Sequence, residues 1–215
     1  MRKVIWMSSG LMATIMISGC SSGSVDEIET HLAQLEEEYG VQYTVEEVET
    51  SVDTDLTFEE FLDVLEDQAH LMEAMNQEEN WHDEDYAPPS GVAESGTATQ
   101  SYTFDYEPSG HFEPGVDYDN LNKHISFAYE TDEDVALADM PSFTAVSEPN
   151  SYIAGSIPNL EWQERISGAS IPSSNETVDL IAEGTWLLTN EWETFEVILS
   201  MDDEWEMVFE SSYLN

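Results

Sequence analysis

Cysteine is nearly absent from this chain: of 215 residues, only residue 20 is one. An intramolecular disulfide is excluded, so the folded part must be held by its apolar core. Thiolate-rich metal sites are excluded with it. Basic residues are almost as scarce. Arg2, Lys3, Lys123 and Arg165 stand against 47 Asp and Glu, for a formal net charge of −43. Such a surface repels phosphate backbones, which excludes nucleic acid as a partner. Two cations beyond residue 20 are too few for a phosphate or oxyanion clamp. No H-E-x-x-H, phosphate loop or dinucleotide fingerprint occurs. Gly19-Cys20-Ser21-Ser22-Gly23 fits the letters of a hydrolase nucleophile elbow but lacks the strand-turn-helix context that the chemistry needs. Paired carboxylates carry no information where 47 acids guarantee a pair. We therefore assign no catalytic residue and expect no enzyme.

What the chain does have begins at its N-terminus. Arg2 and Lys3 precede a mostly apolar run from Val4 to Ile17. At about fourteen residues it falls short of the roughly 20 that span a bilayer, and it has the layout of a secretory signal. It ends in Ile17-Ser18-Gly19-Cys20, which resembles the lipobox of bacterial lipoproteins: aliphatic, small, small, cysteine. The resemblance implies cleavage after residue 19, lipidation of Cys20 (palmitate among the acyl chains) and a membrane partner reached through that anchor. Two or three acyl chains hold a protein firmly where one does not. The expected location is extracytoplasmic, on the outer face of the cell membrane.

The acidity has three readings: a surface adapted to high salt or alkaline surroundings, a cation-binding surface, or a lure for a basic partner. The first concerns habitat alone. For the second, carboxylates are hard oxygen ligands suited to Ca²⁺. Residues 51–61 resemble the later part of an EF-hand loop running into its exit helix, with Glu60 as the twelfth ligand. Glu49 replaces the first Asp, however, and Thr54 replaces the turn glycine. No metal site is assigned, and weak Ca²⁺ binding is retained as an alternative. His31, His70, His82, His111 and His124 form no ligand spacing, and we expect no cofactor.

Along the chain, Val25, Ile28, Leu32, Leu35 and Tyr39 recur at helical spacing, with Gly40 as a stop, predicting a helix over residues 25–39. Alternating β-branched residues predict a strand over 41–52. Thr57-x-x-Glu60 reads as a capping box opening a second helix over 57–76. Residues 77–100 read as an acidic linker, with Trp81, His82 and Tyr86 in it. From Ser101 the period becomes two, and eight or nine short strands are expected. Phe195–Leu199 and Trp205–Phe209 read as a hairpin joined by Met201-Asp202-Asp203-Glu204.

The expected fold is α+β: a small helical or mixed N-terminal segment, then an antiparallel β-sandwich or barrel. The expected domains are 1–19 signal peptide, 20–24 lipidated tether, 25–76 helix-strand-helix, 77–100 acidic linker and 101–215 β domain. The segment from Asn150 through Trp162, the Thr177–Leu188 strands and the Trp205 strand resemble an uncharacterised group of secreted, β-rich proteins of Gram-positive bacteria. That resemblance favours a Gram-positive surface and brings no activity. Trp192, between Glu191 and Glu193 near a turn, is the aromatic expected to be exposed for binding. The expected function is a non-enzymatic binding or envelope-structural role toward a protein, a glycan or a cell-wall component.

Overall fold

The computed structural model describes residues 25–49, 54, 56–83, 95–105, 121–132, 141–155 and 157–214. The lipobox with Cys20, the signal and the tether lie outside the described residues. So do 84–94 of the expected linker, His111, and residues 50–53 and 55 before the second helix.

The fold is α+β, with two helices ahead of two four-stranded antiparallel sheets. Helices α1 (Val25–Tyr39) and α2 (Phe58–Met75) flank strand β1 (Gln42–Glu47). Strands β2 (Trp81–Asp83), β3 (Ser95–Phe104), β4 (Asn122–Asp132) and β5 (Ser142–Ala154) form one sheet in that order. Strands β6 (Leu160–Ser170), β7 (Thr177–Trp192) and β8 (Phe195–Glu210) join β1 in the other, ordered β1-β8-β7-β6.

The chain divides into two compact units. The first gathers α1, β1, α2 and the segment Leu187–Met201 at the turn of the long β7–β8 hairpin. Ile28, Leu32 and Leu35 of α1 and Phe61, Leu65, Ala69 and Met72 of α2 are its buried stripes. Gly40 ends α1 with a positive φ of 72°, and its N–H donates to Glu36 O at 3.1 Å. The expected box opens α2. Thr57 N–H donates to Glu60 Oε2 at 2.8 Å, and Glu60 N–H donates to Thr57 Oγ1 at 3.3 Å. The Thr57 N–H, and the Thr57 hydroxyl donating to the same Oε2 at 2.8 Å, hold the Glu60 carboxyl below its ordinary range. Beneath the helix, Gln68 and Asn190 exchange side-chain amide bonds of 2.9 and 2.5 Å.

The second unit is the sandwich proper. It holds β2 to β6, the first part of β7 and the last part of β8. Its core interleaves both sheets: Phe209 meets Phe127 at 5.2 Å and Phe143 at 6.2 Å between ring centroids.

Three expectations are corrected. The predicted linker contains β2 and the first six residues of β3, because Trp81 pairs in register with Phe104 and packs on it at 4.9 Å. The predicted hairpin at residues 201–204 is uninterrupted strand within β8. Trp192 is 1% exposed: it stacks on Phe61 at 5.5 Å and packs against Phe58 at 5.2 Å. Strand alternation points Glu191 outward and Trp192 inward, and Glu193 already belongs to the turn, with a φ of 50°.

Candidate functional site

Among the described residues, two arrangements in the sandwich unit gather chemistry-bearing side chains. The first is buried. Alternation along β4 turns Lys123 inward between Leu121 and Ile125. Its ammonium donates to Asp203 Oδ2 at 2.9 Å, and the two side chains are 9% and 6% exposed. The same oxygen accepts Trp186 Nε1 at 2.9 Å and Trp205 Nε1 at 2.8 Å. Asp203 Oδ1 accepts the Glu204 N–H at 2.9 Å. Indole faces close around the cation, with Trp81 at 4.2 Å, Trp205 at 5.2 Å and Trp186 at 5.7 Å from Nζ.

Trp162 extends the cluster, stacking on Trp205 at 4.1 Å. Gly184 makes room for it: a Cβ there would fall 2.5 Å from both the Trp162 ring and Gln163 O. Burial pushes Lys123 below the ordinary lysine range, and the Asp203 and Glu78 carboxylates oppose that shift. Three donors on one carboxylate oxygen stabilise its anion, and three indole faces stabilise the cation. Breaking such a pair strands a buried charge, which costs far more than an exposed pair is worth.

The other cation, Arg165, takes the opposite side of β8. It reaches Glu183 at 3.4 Å and Asp202 at 3.5 Å while remaining 53% exposed. Lys123 and Arg165 thus meet consecutive aspartates, one inside the sandwich and one outside.

The second arrangement is a surface. Register aligns Ser101 with His124 and His124 with Tyr152 in one row across β3, β4 and β5. The neighbouring rows are Thr103–Asn122–Ala154 and Thr99–Ser126–Asn150, and a fourth is Thr97–Ala128–Ser147. A bulge in β5, where Glu148 takes a φ of 54°, separates the last two. These positions alternate with the buried ones and are part or fully exposed. Ser101 Oγ and His124 Nδ1 lie 2.7 Å apart in a hydrogen bond, and Thr103 Oγ1 donates to Asn122 Oδ1 at 2.8 Å. His124 stacks under Tyr152 at 4.9 Å and 23°, leaving Tyr152 40% exposed.

Sequence reasoning named Lys123, His124 and the tryptophans singly. It could not join Lys123 to Asp203, eighty residues away. The hydroxyl face was visible only as alternation in Thr97-x-Thr99-x-Ser101-x-Thr103. Of the proposed calcium ligands, Glu60 is occupied with the helix cap. Among the described residues no group of three His, Cys, Asp or Glu converges as a metal site would, and no helix is long and apolar enough to cross a membrane. No protein-family model, no curated protein and no solved structure matches this chain.

Proposed function

We propose that this chain is a lipid-anchored surface protein whose sandwich works by binding, or by contributing to envelope structure, rather than by turnover. The lipobox Ile17-Ser18-Gly19-Cys20 supports the anchor and the extracytoplasmic placement, and the resemblance of the Asn150–Trp162, Thr177–Leu188 and Trp205 segments to secreted proteins of Gram-positive bacteria supports a Gram-positive surface. One structural observation carries the non-catalytic half. The most chemically loaded cluster in the described residues, Lys123 with Asp203, is spent on itself. Three donors of the protein saturate Asp203 Oδ2, and three indole rings cover the cation. A lysine and an aspartate held in this way stabilise the two sheets, which leaves the exposed faces as the working parts.

The anchor is tested by expressing the full chain in a Gram-positive host fed radiolabelled palmitate. Label should enter the wild type and be absent from Cys20→Ala, which should appear in the medium. Equal labelling of both, or no labelling of either, overturns the anchor.

A further inference from the structure

We infer that the outer face of β3, β4 and β5 binds an uncharged polysaccharide, a β-linked hexose or N-acetylhexosamine polymer, with Tyr152 as its stacking platform. The inference rests on the binding reading above and names the surface and ligand class.

Charge distribution is the first argument. The four rows from Thr103 to Thr97 hold twelve positions and not one carboxylate. At the chain-wide frequency of 47 acids in 215 residues, two or three would be expected. One exposed acid, Glu148 in the β5 bulge, interrupts the face between its third and fourth rows, and beyond the rows acids return, with Glu130 in the next row and Asp105 beside His82. An anionic polymer would be repelled by the chain as a whole. A cationic partner would choose β8, whose outward positions include Asp202, Glu204, Glu206 and Glu210. A neutral partner is what the spared face suits.

Chemistry and shape agree with this. Serine, threonine and asparagine supply donors and acceptors without charge, matching the hydroxyls and amides of a neutral glycan. Sugar rings carry an apolar C–H face, and an exposed aromatic ring resting on a second ring offers it a rigid counterpart. Tyr152 is such a ring, stacked on His124, which Ser101 holds from the β3 side. Four rows at the two-residue repeat extend about 20 Å along the strands, long enough for an extended oligosaccharide.

The test is calorimetric titration of the full chain with cellohexaose and chitohexaose, with polygalacturonate as the anionic comparison. We expect at least one neutral oligosaccharide to bind and the anionic polymer not to. Tyr152→Ala and Thr99→Asp should each weaken binding about tenfold, and Val208→Asp on the β8 face should leave it unchanged. Tryptophan fluorescence monitors folding, and Ser126→Asp replaces Thr99→Asp if that variant unfolds. The proposal is overturned if neither neutral sugar binds at millimolar concentration. It is also overturned if binding survives both face variants, or if the face instead mediates self-association that Thr99→Asp abolishes. Release of reducing ends during titration would defeat the non-catalytic reading while leaving the face assignment standing.

Discussion

On β8 the outward positions of the sandwich read Asp202, Glu204, Glu206, Val208 and Glu210, whereas on β3 they read Thr97, Thr99, Ser101 and Thr103. Both series belong to one unit and share one core. A carboxylate coat that served only solubility or habitat would have no reason to leave these row positions of β3 to β5 uncharged. On β8 like charges recur every second residue, and the fold tolerates the repulsion with one arginine and the Thr185 hydroxyl, which donates to Asp202 at 2.7 Å. In the twelve row positions of β3 to β5 the repulsion is absent, and the acids of those strands, Glu130, Asp132 and Glu148, stand outside the rows. The coat therefore reads as background, and the gap in it as the informative feature.

The largest expected effect concerns what lies beneath both faces. Asp203→Ala would leave Lys123 buried without its partner, and urea unfolding should show a loss of about 3–5 kcal/mol. A loss below about 1 kcal/mol would mean that water reaches the site. Trp192→Ala, in the helical unit, should cost about 3 kcal/mol by opening a cavity against Phe61. It should leave oligosaccharide binding at the sandwich face unaltered. Arg165→Ala, on the exposed side of β8, should cost less than about 1 kcal/mol, and the cost should vanish in high salt. Replacing Glu204 and Glu206 together by Gln should raise the melting midpoint by about 1–2 °C in low salt and not in high salt. A gain that persisted in high salt would mean the β8 acids do more than repel.

A smaller effect concerns acid. The folded-state pKa of Glu60 is lowered by its bonds to Thr57. Its contribution is therefore present above the ordinary value of 4.5 and is lost as pH falls through the lowered one. In Thr57→Val, the stability difference from wild type should shrink across that interval. A difference independent of pH would show that the cap acts without the carboxylate.

The helical half was legible because its signals are local. Residues 25–39 carry their own stripe and glycine stop, and Thr57 finds Glu60 three residues on. The sandwich was legible as a class, through its period of two, but not in its strand limits. Asp202-Asp203-Glu204 looks like a turn when read locally. It continues as strand because Asp203 is neutralised by Lys123 and two indoles, and Asp202 by Arg165 and Thr185, partners that are mostly distant in sequence. Trp192 looked exposed between two glutamates. Followed from Val178 through Leu180, Ala182, Trp186 and Leu188, the same alternation places it inside. Trp81 reads as linker because its strand is three residues long and its partner Phe104 lies beyond it in the chain. The neutral face depended on register among three strands, which no single segment displays.

The most direct test of the account is amide chemical-shift mapping of the full chain titrated with the neutral oligosaccharide that binds best. The account predicts shifts centred on Ser101, His124 and Tyr152, with the outward residues of β8 unmoved. Shifts confined to β8 or to the helical unit, or the absence of any shift, would contradict it.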